Sequence, residues 1–325
     1  MHDCVIIGAG ISGLMAARKL LDAGRSVLIL EKSRGPGGRM ATRRISSPQG
    51  EARLDFGAQY FTVREAEFSQ WVESQAESWG LRAWKEEFFS MDRDEPQKPT
   101  RRWIHPDGLN AWAKQLAHGL SLKTEWRLES VSFSKAQWEL LSTTGQMERA
   151  KNLVMTCPLP QNLEILRNSN LELKGLPSVD QNFYESCIAL LVVLKARSQT
   201  PDAGFWPSKD SAFSWVADNQ KKQISSIAAL TLHFKPELSR ELWDRSEAEI
   251  LDRARPEIET WGEIETYQVH RWRYSQPLDR TPKDLLAWRN PGNLVLAGDY
   301  FSGGRVEGAA LSGLKAARTM IEWTS

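Results

Sequence analysis

The first thirty-odd residues restrict this chain more than any other stretch. An apolar run, Cys4-Val5-Ile6-Ile7, leads straight into Gly8-x-Gly10-x-x-Gly13. A helical pattern follows (Leu14, Ala17, Leu20, Leu21), Ala23-Gly24 stops it, and a second apolar run, Val27 to Leu30, ends in Glu31. Strand, tight turn, helix, strand and an acid about 20 residues on form the setting in which such glycines bind a dinucleotide. Gly8 is expected to allow the turn, Gly10 to let main chain approach a pyrophosphate, and Gly13 to let helix and strand pack closely. The helix start, including Ser12, would offer free N–H groups and partial positive charge to phosphates. Glu31 would accept from an adenosine ribose, and its neighbour Lys32 is counted with the cofactor-binding residues.

Length and composition limit the rest. At 325 residues the chain suggests two domains on a prior of about 150 residues each. It is 41% apolar and 26% charged, a globular composition, and a net charge of +1 gives no global case for nucleic acid or an anionic membrane. No apolar stretch approaches the roughly 18 residues of a spanning helix. The first strand begins by Asp3 or Cys4, so no removable signal peptide is expected before it. Cys4, Cys157 and Cys187 are widely spaced and odd in number, which argues for a reducing, cytoplasmic setting rather than a disulfide scaffold. The five histidines (His2, His105, His118, His233, His270) show no ligand spacing, and no metal site is expected. Fourteen tryptophans are read first as core and interface fillers, with a binding cage as the alternative.

Beyond the second strand, Gly37-Gly38-Arg39-Met40-Ala41-Thr42-Arg43-Arg44 is a basic loop in which Arg39 can pair with a phosphate. Small residues at Gly57 and Ala58, before Gln59 and Tyr60, would let main chain approach a flat ring. Residues 91–102 read as a charged loop or strand connection, and Ala150 to Thr156 as a strand. The prolines of Cys157-Pro158-Leu159-Pro160 are expected to lead out of the domain. From about Asn162 to Asp279 no phosphate loop appears and a sheet-containing substrate domain is expected, with a helix over Ser239–Trp261. His270 to Pro277 reads as a strand with His270, Trp272 and Tyr274 on one face. Arg271 and Arg273 lie on the other, as a solvated face or an attractor of substrate phosphate. The tail returns to nucleotide chemistry: Asn293 to Asp299 is a buried strand ending in an acid, and a glycine-rich helix start follows, with Arg305 nearby. Asp299 could bond a ribityl hydroxyl, and the helix start could set positive charge against a flavin's N1–C2=O edge.

The two ends together resemble the FAD-dependent amine-oxidase superfamily, and within it renalase and its bacterial relatives. The motifs that carry this are Gly8 to Gly13, Gly37 to Arg44, Asp55-Phe56-Gly57-Ala58-Gln59-Tyr60-Phe61-Thr62, Pro158 to Gln161, Trp272-Arg273-Tyr274-Ser275-Gln276 and Leu296 to Gly313. The resemblance implies an α/β fold: a glutathione-reductase-like, discontinuous FAD-binding Rossmann domain (1–63, 102–165 and 280–325) and a mixed-sheet α+β substrate domain (64–101 and 166–279). It places FAD contacts on Gly8, Gly10, Ser12, Gly13, Glu31, Arg39, Gly57, Ala58, Gln59, Asp299, Arg305 and Val306, with Val131 as a main-chain contact to adenine. It implies oxidation of 2- and 6-dihydro isomers of NAD(P) to β-NAD(P)+ with O2 reduced to hydrogen peroxide. The chain departs from bacterial relatives after His233, where Phe234-Lys235-Pro236 stands in place of an expected Trp-Ser pair.

The chemistry then follows from the residues. Only one G-x-G-x-x-G occurs, so a pyridine nucleotide would enter as substrate and not as a second resident cofactor. No cysteine stands beside the C-terminal corner, so FAD is expected to be non-covalent. Hydride transfer from a reduced donor needs alignment and exclusion of water more than a protein base. No catalytic side chain is therefore required, and the pocket candidates are Tyr60, His233, His270, Trp272 and Tyr274. The alternatives are an amine or polyamine oxidase, a low-turnover flavin-bearing binding module, and a carotenoid- or porphyrinogen-type dehydrogenase. The oligomeric state is left open.

Overall fold

The computed structural model describes the chain apart from Glu86, 93–99, Glu172, 179–182, 279–282, Gly304 and the side chain of Glu67. Part of the loop expected at 91–102 therefore lies outside the described residues. Contacts divide the chain into two compact units, 1–38, 113–184 and 276–325 in the first, and 39–112 and 185–275 in the second.

The first unit is built on an eight-stranded sheet. Its pairing order is Leu128–Ser134, Gln137–Ser142, Met147–Met155, His2–Ile7, Val27–Leu30 and Ser121–Lys123. Leu294–Leu296 runs parallel to the last residues of Met147–Met155, and Leu286–Trp288 pairs beyond it. His2–Ile7 is parallel to both of its neighbours. One is reached directly through the helix Ile11–Asp22 and the other only after a long excursion. The carboxyl end of this first strand is therefore the switch point where such sheets take ligands, and Gly8 lies there. The strand is covered on both faces, which is why it shows no polar alternation; Val5 and Ile6 are fully buried. Helix Ile11–Asp22 packs against the C-terminal helix Arg305–Thr324 with almost no space between main chains. A Cβ on Gly313 would lie 2.1 Å from the Ser12 carbonyl oxygen.

The prolines of residues 158–160 do not lead out of this unit. Pro158 caps the helix Leu159–Asn168 and Pro160 stands in its first turn. A missing N–H costs nothing there, so the pair opens a helix rather than a crossing.

The second unit carries a six-stranded sheet in the order Ile264–Pro277, Tyr184–Leu194, Ala229–Phe234, Phe213–Asp218, Gly204–Trp206 and Phe89–Ser90. Alternation along Tyr184–Leu194 shows in its partners, because both faces are buried. Ile188, Leu190, Val192 and Leu194 pack with Ile250, Leu251, Ala254 and Ile258 of the helix Glu247–Glu259. Leu191 and Val193 instead meet Ile45, Ala52, Leu54 and Phe56, contributed by the hairpin Thr42–Ser47/Gly50–Asp55 and the residue after it. The helix expected over Ser239–Trp261 is two helices, Pro236–Glu241 and Glu247–Glu259. Ser246 and Glu249 form a reciprocal capping box that starts the second one afresh.

Packing of the hairpin on this sheet places residues 39–63 and 102–112 in the second compact unit, while 166–184 stay with the first. The compact units thus differ from the cofactor and substrate division expected above. No helix among the described residues is long and apolar enough to cross a membrane.

The helix contact yields a stability prediction. Gly313→Ala should lower the unfolding free energy by about 2–4 kcal/mol, read from the urea midpoint. Gly35→Ala, whose Cβ would meet nothing within 4 Å, should stay within about 0.5 kcal/mol of the wild type.

Candidate functional site

The nucleotide corner of the first unit is made largely of main chain. Gly8 takes a φ of +99°, which turns the strand, and a Cβ on Gly13 would lie 2.0 Å from the Gly8 carbonyl oxygen. These two glycines bring the helix start against the strand end. At Gly10 a Cβ would meet nothing within 4 Å, so that glycine keeps a surface open instead of filling a tight contact. Gly10 is also the N-cap and supplies no side-chain acceptor, and the first turn holds no acid. The buried Ser12 hydroxyl has no hydrogen-bond partner among the described residues. Uncapped N–H groups and an orphaned hydroxyl beside open ground are the donors a pyrophosphate takes, and they fit the expected FAD.

Glu31 is buried and accepts from the N–H groups of Ala9 at 2.7 Å and Ser33 at 2.8 Å. It ties the glycine turn to the loop after the second strand. An ionised carboxylate has about four acceptor positions, which leaves room for a ribose hydroxyl. Lys32 is exposed and donates to Gln161 at 3.2 Å. Val131 already gives its N–H to the Ser169 hydroxyl at 2.8 Å. As a donor to adenine it would first have to release that serine.

At the C-terminal corner, Asp299 is buried and accepts from the Tyr184 hydroxyl at 3.0 Å. The Gly298 N–H donates to the Ser312 hydroxyl, which in turn donates to the Asp284 carbonyl, so the loop is tied to the helix after it. Arg305 begins that helix with a φ of +64°, and Val306 behind it is buried. Glu307 shares the first turn with Arg305. The two formal charges oppose each other, so the positive end expected here is chiefly that of the helix itself.

In the second unit, residues 55–59 form a turn held from several sides. A Cβ on Gly57 would lie 2.0 Å from the Arg39 carbonyl oxygen, and that same carbonyl accepts from the Ala58 N–H at 2.8 Å. The Arg39 guanidinium donates to the carbonyls of Tyr274 at 3.2 Å and Ser275 at 3.3 Å. Asp55, fully buried, accepts from the Thr42 hydroxyl at 2.6 Å, the Leu109 N–H at 2.9 Å and the Lys222 ammonium at 2.8 Å. Lys222 also donates to the Gln59 carbonyl at 2.5 Å. The Gln59 side-chain amide donates to the Asp55 carbonyl at 2.6 Å, and its buried Oε1 has no hydrogen-bond partner among the described residues. Lys222 escaped sequence reasoning because it stands 167 residues from Asp55 in a segment with no motif.

Three of the five pocket candidates converge on Phe56. Trp272 stacks on its ring at 5.2 Å between centroids, and His270 meets it edge-on at 4.8 Å. The Phe56 carbonyl accepts from the Trp272 indole at 2.9 Å and contacts His233 Nε2 at 3.1 Å. A carbonyl can only accept, so His233 carries its proton on Nε2 and keeps Nδ1 as an acceptor. Burial pushes the His233 pKa from 6.5 down to about 4, against the Phe56 hydrogen bond, and the nearby Lys222 charge adds to the fall. Burial, assisted by Arg43, also takes His270 to about 4. Both rings are neutral at pH 7.

The other two candidates make different contacts in this unit, and Trp215, which packs with Tyr60, pairs across the sheet with His233. Tyr60 packs with Trp84, Phe88 and Trp215 at centroid distances of 5.2–6.1 Å. Tyr274 contributes its carbonyl to Arg39. Arg271 donates through Nε to the Trp243 carbonyl at 2.8 Å and through Nη2 to the Arg245 carbonyl at 2.6 Å, where the two helices break.

Comparison with known proteins agrees with this construction. The family of flavin containing amine oxidoreductases matches residues 75–321, and an NAD(P)-binding Rossmann-like domain matches residues 6–73. Lysine-specific histone demethylase 1 homolog 1 of Arabidopsis thaliana is 48% identical over 61 residues, which is 18% of this chain and 7% of that protein. (S)-6-hydroxynicotine oxidase of Paenarthrobacter nicotinovorans is 42% identical over 60 residues, 18% of this chain and 14% of that protein. The matches therefore span only a small part of either relative. Cyclohexylamine oxidase from Brevibacterium oxydans IH-35A shares the fold, with a TM-score of 0.72 over 99% of both chains at 15% identity.

Two predictions follow from these geometries. Gly10→Ala should fold as the wild type does and bind FAD at least about tenfold more weakly, a loss of roughly 1.4 kcal/mol, read by titrating FAD into apoprotein. The histidines set a pH dependence. With folded pKa values of about 4 against 6.5, the unfolded chain takes up the protons first. Their contribution to stability is therefore full above pH 6.5 and falls as the pH drops towards 4. His233→Gln should flatten that slope in urea midpoints measured across this range.

Proposed function

The chain belongs to the flavin-containing amine oxidoreductase family and is an FAD-dependent oxidoreductase, and from that premise we propose that its hydride donor is a dihydronicotinamide nucleotide. The donor class is the 2- and 6-dihydro isomers of NAD(P), oxidised to β-NAD(P)+. One observation carries this choice over an amine: the aromatic box an alkylammonium would need is filled by the protein's own cations. The Arg102 guanidinium lies 4.4 Å from the Phe88 ring centroid and 5.5 Å from that of Tyr60, and the Lys222 ammonium 5.2 Å from Trp84. The cation–π attraction of these rings is already satisfied.

When bound, FAD would supply the hydride acceptor, with the electron pair passing to O2 and leaving as hydrogen peroxide. The protein's part is holding and shaping. Gly8, Gly10, Ser12, Gly13 and Glu31 are assigned to the adenosine and pyrophosphate, and Arg39, Gly57, Ala58, Gln59, Asp299, Arg305 and Val306 to the rest of the cofactor. On this assignment the FAD-binding part comprises 1–63, 102–165 and 280–325. His233, held by the Phe56 carbonyl, and His270, packed on Trp272, give a flat donor ring a neutral wall. Neither is poised as a base at pH 7, in keeping with a donor that arrives already reduced. Cys4, Cys157 and Cys187 form no disulfide among the described residues, in keeping with the proposed cytoplasmic setting.

An amine oxidase is the second reading, favoured by the fold shared with cyclohexylamine oxidase. The deciding experiment is anaerobic mixing of the holoenzyme with 2-dihydro-NAD, 6-dihydro-NAD, their phosphorylated forms and a panel of primary amines. Rapid bleaching of the oxidised flavin band by the dihydronucleotides alone is the expected outcome. Bleaching by amines, with aldehyde released on readmission of air, would replace the proposal with the second reading.

A further inference from the structure

Lys222 is a fully buried cation of the second unit, and no motif or expected function accounts for it. Its side chain has no solvent exposure, and neither has that of its partner Asp55. Such a pair carries a desolvation cost of several kcal/mol per ion, which apolar packing would avoid. Its geometry shows what the charges do. The ammonium contacts Asp55 Oδ2 at 2.8 Å and the Gln59 carbonyl at 2.5 Å, joining the first and last residues of a five-residue turn. Its remaining side faces Trp84 at 5.2 Å.

The other bonds of the turn converge on the same residues. Asp55 Oδ1 is held by the Thr42 hydroxyl and the Leu109 N–H, and the Asp55 carbonyl by the Gln59 amide and the Thr231 hydroxyl at 2.9 Å. Thr231 shares a strand face with His233, two residues on, and His233 bonds the carbonyl of Phe56 within the turn. Gly57, Ala58 and Gln59 therefore hang from a clamp whose centre is an ion pair. A carboxylate or an ammonium alone would leave one buried charge without its partner.

We propose that Lys222 is a positioning residue for the flavin: its ion pair with Asp55 fixes the main chain of residues 55–59 in the form that Gly57, Ala58 and Gln59 present to the cofactor. Lys222 touches no substrate in this scheme. It acts through the turn, and through its charge on His233, whose pKa it helps to hold down. The inference rests on flavin contact at this turn and is independent of which hydride donor is used.

The test uses two variants of the full chain. Asp55→Asn/Lys222→Met removes both charges together, so no unpaired ion is left to unfold the protein, and Lys222→Arg keeps the pair. FAD affinity is measured by titrating apoprotein, and the His233 pKa by NMR. In the double variant FAD should bind roughly tenfold more weakly and His233 should titrate closer to 6.5. Lys222→Arg should restore both values most of the way. Wild-type FAD affinity in the double variant, or an unmoved His233 pKa, would overturn the proposal and leave Lys222 as core filling. Neither readout depends on turnover, so loss of the proposed substrate would not be mistaken for loss of the clamp.

Discussion

The helix Ile11–Asp22 can begin where it does only because no side chain stands between Gly13 and the carbonyl of Gly8. The 2.0 Å available to a Cβ there is less than any real contact allows. With it absent, the helix start comes down onto the carboxyl end of the first strand, and the same helix is met from its other side by Gly313. Uncapped N–H groups, the Ser12 hydroxyl and the Glu31 carboxylate then share one corner. The rest of the first unit, from its parallel strands to the C-terminal helix, packs around that contact.

The two units organise polar groups in different ways. The first uses main-chain donors at a helix end, which need no charge and suit an anionic ligand. The second buries ions. Asp55 and Lys222 neutralise each other inside the unit, and both carboxylate oxygens of Asp55 have partners, as a low-dielectric interior requires. Burial keeps the nearby His233 ring neutral, and the Lys222 ammonium adds to that effect.

The abundance of tryptophan has a plain explanation. Trp112 and Trp138 are fully buried fillers. Trp84, Trp206 and Trp215 gather with Tyr60 and Phe88 around the protein's own Arg102 and Lys222. Rings that could cage a substrate cation instead shield internal ones from water. The same residues thus stabilise two buried charges.

Local pattern was enough for whatever neighbouring residues decide. The glycine turn, Glu31 at the end of the second strand, and the shared face of His270 and Trp272 all follow from spacing, because turn geometry and a period of two act within a few residues. Pro158 and Pro160 were misjudged for a related reason: a proline that ends a strand also starts a helix well, and only the packing of Leu159, Leu163 and Leu166 selects between them. The break between Pro236–Glu241 and Glu247–Glu259 was legible in Ser246 and Glu249, but apolar periodicity on both sides obscured it. Tertiary structure alone decided the rest. It took residues 39–63 into the second unit by seating a hairpin on Leu191 and Val193. It joined Lys222 to Asp55 across 167 residues. A buried ion pair has no sequence period, because what selects it is the absence of water around two residues that the chain itself keeps far apart.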